Sequence, residues 1–286
     1  MARLGLKLVS SVLTLMIAGL LGALLVWLAP GLRVDERELD PRLTSESVAA
    51  IRQFPEIGAN FPDFYFKFMR GLLRGDLGVS RTFRRPVAEL VSGRWPVTVR
   101  SVTLGLAVGW TGGLLLAVFA IQQNAAFLKW VLIGSTTLFL SLPSALLALA
   151  CLLAGWPPGW AIALVVFPRI LPHAYNQLES ALRSDHALAA HACGLSRWRV
   201  FLLHVALPVA APMLALAAVS VPLALGASVP VEVVSDSPGL GQLAWKAAQG
   251  RDLTVLVSLT LLLAAVTLFA DFLSGLFAAG PRTEEA

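Results

Sequence analysis

The chain has 286 residues, of which 57% are hydrophobic and only 14% charged, against about 25% charged in an ordinary soluble domain. Drawn out in repeated long apolar runs, that balance excludes a soluble globular protein and points to one membrane domain with loops. The formal charge of +5 does not indicate nucleic acid: the basic residues are scattered rather than clustered, and a basic balance suits a chain that faces anionic lipid.

Arg3 and Lys7 precede an unbroken apolar run at 8–28. The run is too long for a secretory signal, and the Leu28-Ala29-Pro30-Gly31 step is a poor cleavage site, so it reads as a retained first helix with a cytoplasmic N-terminus. Residues 30–95 form the one long polar region, an extracytoplasmic loop opening on Asp35, Glu36, Arg37 and Glu38. Within it, FPDFYFKFMRGLL at 61–73 mixes aromatic residues with Lys67 and Arg70, as expected of a short helix lying at the bilayer interface. Further apolar runs at 97–121, 130–153, 160–175, 204–227 and 254–278 bring the expected total to about six transmembrane helices. Each is close to the ~20 residues that cross a ~30 Å hydrocarbon core, the fourth being the shortest. The expected division is thus a first helix at 1–29, the loop at 30–95, a five-helix core at 96–280 with a cytoplasmic loop at about 183–203, and a cytoplasmic tail at 281–286.

Eleven Lys or Arg lie between Arg33 and Arg94, but long loops translocate largely regardless of charge. Among the short segments, Arg3, Lys7, Lys129, Arg183, Arg197, Arg199 and Arg282 fall on one side, and Lys246 and Arg251 on the other. The count places both termini in the cytoplasm.

The most structured signal outside the spans is HALAAHACGLSRWRVFLLHVALPVAAP at 186–212. Ala189 and Ala190 are small, Gly194 accepts a turn conformation that other residues resist, and Leu195 begins a second amphipathic run through Arg197, Trp198 and Arg199 to Pro208. Helix, turn and helix is the simplest reading, and it is the shape of a docking surface; the plainer alternative is a connector between two spans. Arg169, between Pro168 and Pro172, is a costly charge in or near the fourth span, so it lines a wet cavity or snorkels to the interface. After the fifth span come VEVVSDSPGLG at 231–241 and AAQGRD at 247–252. Pro238, Gly239 and Gly241 favour tight reversals there. Glu232 and the Arg251-Asp252 pair have two readings: they gate or position a substrate, or they hold the loop in shape.

Catalytic and metal chemistry find little support. Cys151 and Cys193 fall at different depths, lack metal-site spacing and read as small buried or half-buried residues. His173, His186, His191 and His204 fit no ligand pattern. There is no GxxxxGK[ST], no HExxH, no paired aspartates and no convincing Ser/His pair.

These motifs together resemble the membrane permeases of the dipeptide, oligopeptide and nickel ABC importers. The likeness rests on Gly75-Asp76-Leu77-Gly78-Val79-Ser80, on Pro86-Val87, and on Arg94-Trp95-Pro96-Val97-Thr98. It continues through Ala189, Ala190 and Gly194, then Glu232 with Pro238-Gly239-Leu240-Gly241, the Arg251-Asp252 pair, Asp271, and Pro281-Arg282. It covers 75–282 and thins between Gly155 and Ser184, where this chain is short. Two departures stand out. Leu188 occupies a place where the family often has glutamate or another polar residue, and His191, Ala192 and Cys193 replace a more basic run, so shape rather than charge carries the docking argument. The resemblance implies an all-α, polytopic type I ABC importer permease in a bacterial inner membrane, without an ATPase site of its own. It implies Ala189, Ala190, Gly194, Leu195, Arg197 and Trp198 as the surface coupled to the ATPase. Arg169, Glu232, Arg251 and Asp252 are the candidate path or gate residues. The implied partners are a second, related permease forming a heterodimer, two ATP-binding subunits that use ATP and magnesium, an extracytoplasmic solute-binding protein, and lipid. This chain is expected to bind no cofactor, and its cargo to be a peptide or another small solute such as nickel. The competing reading is a stand-alone secondary transporter or channel, which commonly places ionisable groups at the membrane midplane; here Asp271 is the main acid within a span.

Overall fold

The computed structural model describes residues 2–28, 61–123 and 126–277; the acidic stretch at 35–38 and the closing Pro281-Arg282 lie outside them. Among the described residues every regular element is helical, apart from an isolated antiparallel bridge between Val79 and Pro86. The elements are α1 (Ala2–Leu28), α2 (Phe61–Leu72), α3 (Val87–Gln123), α4 (Ala126–Ser141), α5 (Ser144–Leu153), α6 (Pro158–Leu182), α7 (Asp185–Ala192) and the single turn α8 (Arg197–Arg199). A π-helix (Val200–Ala206) then leads into α9 (Leu207–Val234), followed by α10 (Leu240–Gln249) and α11 (Leu253–Phe277). The chain forms two compact units, Met1–Pro96 with Gln242–Ala265, and Val97–Gly241 with Val266–Ala286.

Three of these stretches, Val87–Gln123, Val200–Val234 and Leu253–Leu273, are long and apolar enough to cross a bilayer, and α4 with α5 makes a fourth if the bent pair is one span. This measure therefore does not reproduce all six expected crossings among the described residues. In α6 the reason is composition: Arg169, His173 and Glu179 dilute its apolar residues, and Pro168 and Pro172 sit within it. Yet α6 is no short span, since it continues to Leu182, well past the expected end at 175.

Three other boundaries differ from the sequence reading. Helix α3 begins at Val87 rather than 97, because Val87 to Trp95 contains nothing that stops a helix, and Pro96 costs one rung without ending it. Helix α9 extends to Val234, which places Glu232 inside a helix rather than in the following loop. The expected single span at 130–153 is broken, with its halves bent by 97° at Leu142-Pro143. Pro143 forces the residue before it out of helical conformation and itself adopts φ −58°, ψ 138° before α5. The broken ladder is repaired locally: Leu142 N–H donates to the Phe139 carbonyl at 3.3 Å, and Leu146 N–H to the Pro143 carbonyl at 2.9 Å.

In the first unit, α2 lays its aromatic face on α1 and α11. Phe68 is buried with Ala23, Leu253, Val257 and Leu261, and Phe61, Phe64, Tyr65 and Met69 pack around them. The interfacial helix expected from sequence is thus seated on protein through that face, while Asp63 and Lys67 pair at 2.8 Å on its exposed side. Gly19 and Gly22 of α1 allow the close approach of Leu261 and Thr260.

The second unit depends on a seam between α3 and α6. Gly105, Gly109 and Gly113 recur every fourth residue, so they share one face of α3. They meet Ile162, Val166 and Ile170, which recur at the same spacing on α6. A Cβ at Gly105 would fall 2.5 Å from an Ile162 methyl, and one at Gly113 2.8 Å from Ile170. Beyond the seam, Ala117, Leu171, Ala174, Leu178, Val205 and Val209 form the buried core. Gly105→Leu is expected to overpack this seam and cost about 1–3 kcal/mol, and Ile162→Ala in the same chain should recover part of the loss. Thermal unfolding of the purified chain in detergent measures both; a single variant that melts with the parent contradicts the seam.

Candidate functional site

The loop after α6 is built around a helix stop. The carbonyl of Ala190 accepts the Leu195 N–H at 3.3 Å, and that of Ala189 the Cys193 N–H at 2.9 Å, while Gly194 takes φ +79°. A bond from the third residue past a helix to its third-last carbonyl, across a left-handed glycine, is a Schellman stop, and it usually brings an apolar contact between those two residues. Here that contact is Leu195 packed on Ala190, with Ala187 and Val200 completing a small buried core. The spacing of Ala190 and Gly194 is therefore the geometry of a helix end. A Cβ at Gly194 would meet nothing within 4 Å, so the constraint on that position is its backbone conformation rather than space.

Burying Ala187 and Ala190 turns the other face of α7 outward. Ala189 is exposed, and Leu188 and Trp198 are exposed large hydrophobics at 55% and 69%. Trp198 stands edge-on to Phe201, with ring centroids 6.1 Å apart. Arg197 opens the single turn α8. Leu188, noted in the sequence as a departure from the family's usual glutamate or polar residue, leaves an apolar spot on this face.

Of the four candidate path residues, Arg251 and Asp252 adjoin in the first unit, and Arg169 and Glu232 belong to the second. Glu232 is fully buried in the second unit. Its Oε1 accepts the Thr98 hydroxyl at 2.7 Å and its Oε2 the Gly241 N–H at 2.7 Å, while Thr98 Oγ1 in turn accepts the Leu240 N–H at 2.8 Å. The carboxylate thus receives the open N-terminus of α10, where backbone donors and the helix dipole favour negative charge. A Cβ at Gly239 would overlap the Glu232 carboxylate, and one at Gly241 would lie 2.5 Å from the Val229 backbone. Both glycines are required by close approach.

Asp252, 1% exposed, does the corresponding work in the first unit. Its Oδ2 accepts the Ser80 hydroxyl at 2.6 Å and the Thr82 N–H at 2.9 Å, and its Oδ1 accepts the Val255 N–H at 3.2 Å in the first turn of α11. The loop it holds is closed by Ser80 N–H to the Arg85 carbonyl at 2.9 Å and by Val87 N–H to the Gly78 carbonyl at 3.0 Å. Arg94 supports the same unit, donating to Gln242 at 3.3 Å and lying 5.8 Å from the Phe83 ring centre. Arg251, next to Asp252, has φ +52°, a left-handed conformation uncommon for a side-chain-bearing residue. Arg169 is exposed on α6, and its carbonyl bonds the His173 ring at 2.8 Å. Asp271 is exposed.

Thr98, Ser80 and Thr82 escaped the sequence reading as individual residues. Each is an ordinary hydroxyl residue whose partner lies 134, 172 and 170 positions away. The signal that was present is the company they keep: Thr98 ends the RWPVT motif and Ser80 the GDLGVS motif. Thr98→Val removes both the donor to Glu232 and the acceptor of the Leu240 N–H. It is expected to cost about 1–3 kcal/mol and to quicken proteolytic cutting in the 235–239 turn, whereas Thr98→Ser should cut like the parent.

Comparison with known proteins gives this architecture a family. Residues 109–283 match the family described as binding-protein-dependent transport system inner membrane component. The chain is 27% identical over 271 residues to the oligopeptide transport system permease protein OppB of Escherichia coli strain K12, covering 84% of each chain. It is 26% identical over 265 residues to OppB of Salmonella typhimurium, again covering 84% of each. Against OppB of Haemophilus influenzae it is 25% identical over 229 residues, covering 71% of this chain and 74% of that one. A helical membrane chain matched by the family over more than half its length, and aligned with these permeases across most of theirs, belongs to the binding-protein-dependent inner membrane permeases of ABC importers.

Proposed function

We propose that this chain forms half of the translocation path of a peptide importer and receives the work of ATP hydrolysis through residues 185–199. The observation that carries the reading is the outer face of α7 and α8, where Leu188, Ala189 and Trp198 are exposed beside the Schellman stop at Gly194. An exposed apolar surface on a short, firmly held element is what a groove on another protein takes up. The chain's partners are a second permease of the same family, two ATPase subunits that bring ATP and magnesium, and an extracytoplasmic binding protein. Both termini lie in the cytoplasm, on the same side as the loop, in a bacterial inner membrane.

Peptide cargo is supported by the names of the relatives, which are oligopeptide permeases. Glu232 and Asp252 hold loops instead of meeting the cargo, because their carboxylate oxygens are already taken by Thr98, Gly241, Ser80 and Val255. Selectivity then rests with the binding protein and with the weakly polar surface of the path.

Affinity purification of the tagged chain from mild detergent, with its companions identified by mass, tests the docking reading. An ATPase subunit should accompany the parent chain. Gly194→Val, forced into a left-handed backbone at a cost of roughly 1–2 kcal/mol, should lose most of it. Gly194→Asn, which tolerates that backbone, should keep it. Trp198→Glu should lower recovery at least tenfold with membrane insertion intact. A parent chain that emerges alone and moves labelled trialanine in liposomes without ATP makes the protein a stand-alone transporter.

A further inference from the structure

The seven-residue π-helix Val200–Ala206 lies between the docking loop and the span α9. Such helices are rare, and as short insertions in α-helices they concentrate at functional places. Its flanks are ordinary: Arg199 has φ −66°, ψ −43°, and Leu207 φ −66°, ψ −48°. The irregularity is therefore confined to the segment itself.

Two fully buried valines explain its geometry. Val200 belongs to the small core of the docking loop with Ala187 and Ala190, and Val205 to the bundle core with Ala117, Leu171 and Leu178. They are five residues apart. In an α-helix at 3.6 residues per turn, such residues point about 140° away from each other. The i to i+5 ladder of a π-helix stacks them on one face. With this wider ladder both valines are fully buried, and Leu202 and Leu203 are left 56% and 59% exposed.

The ladder is thinned where the segment meets α9. Pro208 has no N–H, so in either ladder one carbonyl at 203–204 lacks its rung, although Val200–Val234 runs as one continuous helix. Below, the left-handed Gly194 ends α7 before the new helix starts, and Val200 N–H bonds the Ser196 carbonyl at 3.0 Å.

From this we infer that the π-helix is the moving joint of the permease: its conversion toward α geometry turns the docking loop about the axis of α9, while Val205 stays fixed in the bundle. The inference rests on the docking role proposed for residues 185–199 and adds where the stroke of that loop is absorbed.

Deleting Leu203 tests it, because the deletion leaves Val200 and Val205 four apart, inward-facing in a plain α-helix, with both cores kept. In the full importer reconstituted with its ATPases and binding protein, the deletion should retain ATPase recovery and reduce ATP-driven uptake of labelled trialanine at least tenfold. Uptake within twofold of the parent, with ATPase bound, overturns the joint and leaves the docking reading standing. A parent chain that recovers no ATPase overturns the docking reading and the joint with it. Hydrogen exchange on the unaltered importer gives an answer that does not depend on the deletion folding. Amides of 200–206 should change exchange rate at least tenfold between nucleotide-free and vanadate-trapped states, more than those of 213–234. Equal rates in the two states overturn the inference.

Discussion

In hydrocarbon there is no water to complete a broken hydrogen-bond ladder, so a break inside a span has to be closed by the chain itself. Among the described residues, the breaks at Leu142-Pro143 and at Gly194 are closed by a neighbour within a few residues, whereas prolines inside α3 and α9 leave carbonyls without their rungs. At Leu142-Pro143 the carbonyls of Phe139 and Pro143 take the displaced donors. At Gly194 the carbonyls of Ala189 and Ala190 do so. The same logic extends to charge. The acids with the least exposure are placed where helix N-termini offer donors: Glu232 beneath α10 and Asp252 at the start of α11. Neither carboxylate stands in a featureless apolar wall, where its charge would be prohibitive.

Close packing supplies what an aqueous hydrophobic effect cannot supply between helices in lipid. The glycine row of α3 against the β-branched row of α6 brings two backbones together over two full turns. This makes the pair a stiff reference against which other elements are positioned. The loop at 185–199 has a much smaller core, made of Ala187, Ala190, Val200 and the partly buried Leu195, and it is joined to the end of α6 through the Ser184 carbonyl, which accepts the Ala187 N–H at 3.1 Å.

Much of this was legible in the sequence, and the reasons for the rest are physical. The apolar runs at 97–121, 204–227 and 254–278 located three stretches long and apolar enough to cross a bilayer, because hydrophobicity is what the bilayer selects. They misplaced the ends because helicity does not stop where apolarity does: Val87 to Trp95 and Val231 to Val234 remain helical outside the expected limits. The break at Leu142-Pro143 was hidden inside a run that stays apolar on both sides, although Ser-Leu-Pro-Ser is a stop and a start. The row Gly105, Gly109, Gly113 stood in plain view at four-residue spacing and went unread. The docking loop was recognisable as helix, turn and helix because Gly194 encodes its own backbone. The partners of Glu232 and Asp252 were not, since no local pattern announces a hydroxyl more than a hundred residues away. The π-helix left no signal in composition, as it arises from the separation of two valines that must reach different cores.

The length of α3 carries a consequence for the setting in which the protein works. Its 37 residues make a rod of about 55 Å, nearly twice the ~30 Å of hydrocarbon it must cross. A short span in a bilayer of the wrong thickness has to tilt, or the lipid has to stretch. The surplus is charged at one end, where Glu89 and Arg94 belong outside the hydrocarbon, and the register of the apolar part is fixed by the glycine row seated on Ile162, Val166 and Ile170. One continuous element thus carries the membrane-embedded seam and a stretch that lies beyond the lipid.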